Sequence, residues 1–214
     1  MAKAAPESAL RFPLTSIFGS EINVRVMREL SHHGGQLSVR DLMHRARLSR
    51  PPILSSLSTL TDFQVVREVG TGHVRLFSLN GESPFFSSVQ ALYQAEEKRF
   101  GDIIDAVKEC ALLFADQILA AWIFGSVARK EDTASSDLDI ALITAESDVE
   151  VIQSKSIDFL GAKGNELLFS PSINTLSISD LSRLRQSQDP LWKAFVNEAL
   201  VVIGPRPESI SIHR

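Results

Sequence analysis

Apolar residues Ile22, Val24, Val26, Met27 and Leu30 form a mostly helical stripe that predicts a helix over 21–33, closed by Gly34-Gly35. Ser38 reads as the N-cap of a short helix through Asp41, Leu42 and Met43 to Ala46. Leu48 falls in a tight turn. Ser49 then reads as the cap of a third helix, with Pro51 in its first turn and an apolar face of Ile53, Leu54, Leu57, Leu60 and Phe63. The pattern next becomes strand-like. Residues 65–69 and 73–77 are β-rich runs joined by Gly70-Thr71-Gly72, a hairpin signal. A long, mostly helical segment follows over 84–114, carrying the solvated patch Glu96, Glu97, Lys98, Arg99. Ile118 to Phe124 reads as a buried strand broken by Gly125-Ser126, and Leu138 to Thr144 as a second strand. Residues 148–159 are amphipathic and helical. Residues 166–178 hold one or two strands interrupted by Pro171. Residues 179–185 and 190–200 are helical, and Val201-Val202-Ile203 is a short last strand.

Composition alters this picture little. With 44% hydrophobic and 22% charged residues the chain has material for a core, which excludes global disorder. The formal charge of -4 is unevenly spread: 21–80 carries eight arginines, no lysine and five acids, an arginine-rich front on an acidic remainder. The single cysteine, Cys110, rules out an internal disulfide and fits a reducing cytoplasm. The first residues lack a signal-peptide core, and the longest apolar stretch, Ala111 to Phe124, is interrupted by Asp116 and Gln117. A soluble, cytoplasmic protein without membrane association is expected.

The chemistry concentrates at Gly125-Ser126 and Asp137-Leu138-Asp139. A glycine after a strand lets backbone approach a phosphate closely, and the serine hydroxyl with nearby N–H groups can donate to its oxygens. Carboxylates at i and i+2 of a strand share one face. Two carboxylates beside a phosphate cradle suit Mg²⁺, which takes a few carboxylate oxygens plus substrate phosphates; Mn²⁺ is the alternative ion.

The run Phe124-Gly125-Ser126-Val127-Ala128-Arg129 with Ser135-Ser136-Asp137-Leu138-Asp139-Ile140-Ala141-Leu142 resembles the nucleotidyltransferase superfamily related to DNA polymerase β. It is most similar to the minimal members, the kanamycin nucleotidyltransferase-like proteins and the antitoxins that pair with HEPN ribonuclease toxins. The resemblance covers about 25 residues and implies that Gly125 and Ser126 hold the phosphates of a nucleoside triphosphate and that Asp137 and Asp139 are catalytic metal ligands. It also implies that Arg129 reaches phosphate and Ser136 braces the turn before the first aspartate. Active members carry a third carboxylate on a neighbouring strand. The corresponding strand here is expected at 172–178, which has no acid. Asn174 is the expected matching position, with Glu166 the substitute if 166–169 is that strand instead.

At the front, Leu48-Ser49-Arg50-Pro51-Pro52-Ile53-Leu54-Ser55-Ser56-Leu57-Ser58-Thr59-Leu60 resembles the recognition helix of winged-helix repressors of the MarR and ArsR groups. Ser49, Arg50, Ser55, Ser56 and Thr59 are candidate contacts to double-stranded DNA, and Arg67, His73 and Arg75 are candidate contacts at the wing. The resemblance implies a homodimer.

The expected architecture is α+β. A flexible arm (1–15) precedes a winged helix-turn-helix (16–82), a long connector helix (83–115) and a small mixed-sheet nucleotidyltransferase domain (116–214). Three functional readings follow: a DNA-binding, Mg²⁺-dependent transferase of nucleoside monophosphate; a regulator whose second domain only senses nucleotide; and the antitoxin of a HEPN-type toxin.

Overall fold

In the computed structural model residues 7–70, 75–145 and 149–210 are described. The chain divides into two compact units, Met1–Glu97 and Lys98–Arg214.

In the first unit the helix α1 (Pro13–Phe18) precedes α2 (Glu21–His33). Helical structure thus begins inside the expected arm, because Pro13 supplies a preset first turn and Ile17 is fully buried. Gly34 ends α2 in the left-handed region (φ 67°), its N–H donating to the Leu30 carbonyl. The short strand β1 (Leu37–Ser38) leads into α3 (Val39–Ala46). Ser38 and Asp41 form a reciprocal cap: the Asp41 N–H donates to Ser38 Oγ (3.2 Å) and the Ser38 N–H to Asp41 Oδ2 (3.1 Å).

After a tight turn comes α4 (Arg50–Asp62). Ser49 holds its N-cap position, yet its side chain caps nothing. The acceptor at an N-cap serves the N–H groups two and three residues on, and these are Pro51 and Pro52, which have none. Strands β2 (Val66–Val69) and β3 (Leu76–Leu79) complete an antiparallel sheet of order β1-β3-β2. Val69 lies opposite Leu76, and the first two residues of the expected second run, His73 and Val74, lie outside the described residues. The core joins Ile17, Val26, Met27, Leu30, Leu42, Ile53, Leu57, Leu60 and Phe77. Helices α2, α3 and α4 followed by this wing-like hairpin have the element order of a winged helix-turn-helix.

The 27-residue helix α5 (Phe86–Leu112) contributes to both units. In the first, Tyr93 donates to the Val24 carbonyl (2.9 Å) and Glu96 makes a two-pronged pair with Arg28 (2.6 and 2.8 Å).

The second unit is built on a four-stranded mixed sheet of order β6-β5-β4-β7, comprising β4 (Ile118–Phe124), β5 (Leu138–Thr144), β6 (Pro171–Ser177) and β7 (Leu200–Ile203). β4 runs antiparallel to β5 and β7, and β5 parallel to β6. Side-chain alternation gives the sheet two apolar faces. One, with Ile123, Ile140 and Leu142, packs on Ile103, Val107 and Cys110 of α5 and on Ile152 and Leu160 of α7 (Val149–Leu167). The other, with Trp122, Phe124, Ala141 and Ile143, packs on Leu181 of α8 (Ile178–Gln186) and on Trp192 and Phe195 of α9 (Pro190–Glu198). Phe195 meets Phe124 edge-on at 4.9 Å, and the buried Trp122 Nε1–H donates to the Pro205 carbonyl (2.9 Å).

Glu166 and Leu167 are helical, not extended. Ile152, Ser156, Leu160 and Gly164 recur every fourth residue and bury one face of α7, so helical packing overrides the short β-rich run that follows. From α7, Gln153 reaches the outer edge of β6: its Nε2 donates to the Ile173 carbonyl (3.0 Å) and its Oε1 accepts from the Thr175 N–H (3.1 Å).

Candidate functional site

β4 ends at Phe124, and the single helical turn α6 (Gly125–Arg129) begins with Gly125 at φ +73°, a conformation that favours glycine. A methyl group added at Gly125 would stand 2.3 Å from Asp139 Oδ2. The Gly-Ser turn and the second aspartate of the motif are therefore in direct apposition, although fourteen positions apart. The register explains why: Phe124, the last residue of β4, lies opposite Asp139 of β5. Asp139 is half-buried on the sheet face it shares with Ala141 and Ile143, and Asp137 is exposed immediately before the strand. Ser136 closes the turn leading into Asp137, accepting from the Thr133 N–H through Oγ (2.9 Å) while its own N–H donates to the Thr133 carbonyl (3.0 Å).

Arg129 is engaged by carboxylates. Its Nε donates to Glu131 (2.8 Å) and another guanidinium nitrogen to Glu198 Oε2 (2.7 Å), and these bonds push its pKa still higher. The same Glu198 oxygen accepts from the Gly125 N–H (3.2 Å). Glu198 is the last residue of α9, and no spacing in the sequence ties it to the motif; only the packing of α9 on Trp122 and Phe124 brings it there.

The strand beside β5 holds no acid. Ser172 lies opposite Asp139, and Asn174 lies one pair further along, opposite Ala141, so both stand on the strand beside the second aspartate. Glu166 is no substitute. It is exposed on α7, which packs on the opposite face of the sheet, and it stands 3.8 Å from Lys163. Among the described residues no group of three or more His, Cys, Asp and Glu is placed to hold a metal ion. Asp137, just before β5, and Asp139, within it, offer two carboxylates, and Mg²⁺ takes only a few such oxygens when phosphate and water complete its shell. A cleft of about 580 Å³ adjoins the motif, lined by Arg99 and Phe100 of α5, Val127 of α6, Ser136, Leu138 of β5 and Leu168, Phe169 and Ser170. It excludes Gly125, Ser126, Asp137 and Asp139, and Arg99 there is committed to the carbonyls of Leu167 and Leu168.

In the winged helix, Ser49, Arg50 and Ser55 are exposed along α4. Thr59 is half-exposed and donates to the Ser55 carbonyl (3.2 Å). Ser56 departs from the expected contact set. It is only 4% exposed and belongs to the inner side of α4 with Ile53, Leu57 and Leu60, so it presents no group to a nucleic acid. Arg40, Arg47 and Arg50, at the starts of α3 and α4 and in the turn between them, are exposed and make no ion pair with any described residue. Arg67 donates to Ser78 Oγ (3.1 Å). Arg75 grips Glu68 through two bonds of 2.5 Å and covers the Phe77 ring, so its charge is already matched within the hairpin. His73 lies outside the described residues.

No curated protein matches the chain. Two solved structures are similar over about half of it. A crystal structure of NadR in complex with 4-hydroxyphenylacetate shares 18% identity over 54% of this chain and 94% of its own, with a TM-score of 0.36. A crystal structure of human N-acetylserotonin methyltransferase in complex with SAM shares 17% identity over 51% of this chain and 37% of its own, with a TM-score of 0.23. Likenesses at those scores bear on neither fold nor function. The family described as polymerase beta, nucleotidyltransferase matches residues 108–203, a span that contains the Gly-Ser turn, both aspartates, Arg129 and Glu198 on the mixed sheet just described. Residues 108–203 thus form a nucleotidyltransferase domain of the polymerase beta family.

Proposed function

We propose that this is a DNA-binding protein whose second domain transfers a nucleoside monophosphate from a nucleoside triphosphate to an acceptor hydroxyl. The observation that carries the reading is the apposition of Gly125 and Asp139 in a domain of this family. Gly125, Ser126 and Arg129 receive the phosphates, with Ser136 holding the approach to Asp137. Asp137 and Asp139 hold Mg²⁺, or Mn²⁺, which offsets phosphate charge when bound. In the transfer the acceptor oxygen bonds to the α-phosphorus and pyrophosphate leaves. The acceptor proton passes to water, since the strand beside Asp139 offers Ser172 and no base. Positioning and electrostatics account for most of the catalysis in such transfers, which keeps a slow reaction feasible without a strong base.

The test is titration of the purified chain with ATP, GTP, CTP and UTP, with and without Mg²⁺, beside Asp137→Asn/Asp139→Asn. Metal-dependent binding that the double variant loses supports the reading. Binding unchanged in that variant refutes these ligands. Transfer to an acceptor then shows as labelled product.

For DNA, exposed Arg40, Arg47 and Arg50 together with Ser49 and Ser55 support contact through α3 and α4. Arg50→Ala should weaken operator binding and, where Arg50 meets phosphate, lower the salt slope by about one. A protein without DNA affinity at low salt sinks this half of the proposal.

A second reading rests on Ser172. With no carboxylate opposite Asp139, the domain can bind nucleotide or a partner without turnover, as a regulator or as the antitoxin of a HEPN-type toxin, working as a homodimer. Neutralisation of a co-expressed toxin by Asp137→Asn/Asp139→Asn as well as by the parent chain would favour it.

A further inference from the structure

The Gly-Ser turn is already occupied by an anion from its own chain. Glu198 Oε2 takes the Gly125 N–H at 3.2 Å and Arg129 at 2.7 Å, the donor and the cation that a phosphate oxygen would use. We infer that Glu198 is an internal placeholder for phosphate, a latch that ligand phosphate must displace from Gly125 and Arg129.

The inference rests on the nucleotide reading above and deepens it. Three observations carry it. Glu198 is held by its neighbours and only 20% of its side chain is exposed, so solvent screens it incompletely. One carboxylate oxygen bridges two separate groups of the turn, as a ligand oxygen would. Arg129 is shared with Glu131, so release of Glu198 leaves a guanidinium still positioned by Nε and with its other nitrogens free to turn to phosphate. The exchange makes and breaks no covalent bond. Two hydrogen bonds move from carboxylate to phosphate, and the carboxylate swings to water from the C-terminal end of α9. Repulsion between Glu198 and an incoming phosphate makes the latch an affinity filter: a lone phosphate gains too little to open it, whereas a chain of phosphates gains more contacts against one displaced carboxylate.

The experiment compares the full chain with Glu198→Gln, which keeps shape and removes charge. Inorganic pyrophosphate is titrated calorimetrically without metal, and each NTP with Mg²⁺. Glu198→Gln should bind pyrophosphate about tenfold more tightly than the parent chain. Equal or weaker pyrophosphate binding overturns the latch, and so does loss of Mg²⁺-dependent NTP binding, which would make Glu198 a metal ligand or a brace for the turn. If pyrophosphate binding tightens while no NTP binds to either protein, the latch stands and the nucleotide reading falls. Far-ultraviolet circular dichroism and a urea titration check that Glu198→Gln is folded. If it is not, Glu198→Asp, which shortens the reach to Gly125 and keeps the charge, must show the same tightening for the latch to stand.

Discussion

Gly125→Ala should damage stability and the site together, and the structure apportions the damage. The residue sits at φ +73°, where a side chain costs about 1–2 kcal/mol. The new methyl would stand 2.3 Å from Asp139 Oδ2, well inside contact distance, with the rest of the Asp139 side chain at 3.2 Å and beyond. Asp139 must then leave its rotamer, at about 0.5–1.5 kcal/mol. The total is about 1.5–3.5 kcal/mol, and the second part requires the Asp139 carboxylate. A cycle of Gly125→Ala, Asp139→Ala and the double variant separates the two by urea denaturation, with ligand affinity measured in parallel. In the Asp139→Ala background the glycine substitution should cost only the backbone share, giving a coupling of about 1 kcal/mol, above the few tenths expected of independent sites. Full additivity would refute the steric apposition of turn and aspartate on which the site is built. Mg²⁺-dependent NTP affinity should fall at least tenfold in Gly125→Ala even where the protein remains folded, because the carboxylate has been pushed from its place.

Three further outcomes follow from the caps and from one tyrosine. Ser38→Ala should cost about 1 kcal/mol, while Ser49→Ala, which faces two prolines without N–H groups, should cost close to nothing in a urea titration. The Ser177 hydroxyl holds the Asp180 carboxyl below its ordinary range, so this cap stabilises above about pH 4 and is lost as pH falls through the depressed value. Asp180→Asn should flatten that acid limb, and a slope unchanged by the substitution would discount the cap. Tyr93, the chain's one tyrosine, has its pKa pushed up to about 12 by burial. Its phenolate absorbance should titrate near that value and not near 10. The stability it supports is full below its unfolded pKa of about 10 and is lost as pH rises through 12, a limb that Tyr93→Phe abolishes.

Local sequence carried most of the architecture because the signals are local. Gly34 after a helical stripe, Ser38 three residues before Asp41 and the strand ending at Gly125 each act within a few positions. The Gly-Ser and Asp-x-Asp motifs could be read as a pattern for the same reason: each lies at the end of one strand, β4 closing at Phe124 and β5 opening at Leu138. What escaped depends on partners distant in sequence. Glu198 reaches Gly125 only because Phe195 seats α9 against Phe124. The neighbour of Asp139 is a matter of strand register, which periodicity leaves open and which sets Ser172 level with Asp139 and Asn174 one pair further on. Ser56 misled because small polar residues occur on both sides of a helix, and the side follows from what packs there.

The Gln153 amide on β6 has a consequence for how this domain meets other chains. An edge strand normally offers its unpaired N–H and C=O groups as a template on which foreign backbone can crystallise, the first step of runaway sheet growth. Here one side-chain amide imitates a single peptide unit of the missing strand, taking the Ile173 carbonyl and the Thr175 N–H in the middle of the exposed row. Backbone-templated recruitment along that margin must first evict a group tethered to α7. A glutamine one turn into that helix therefore confers colloidal safety on a sheet whose other duties lie on its far side.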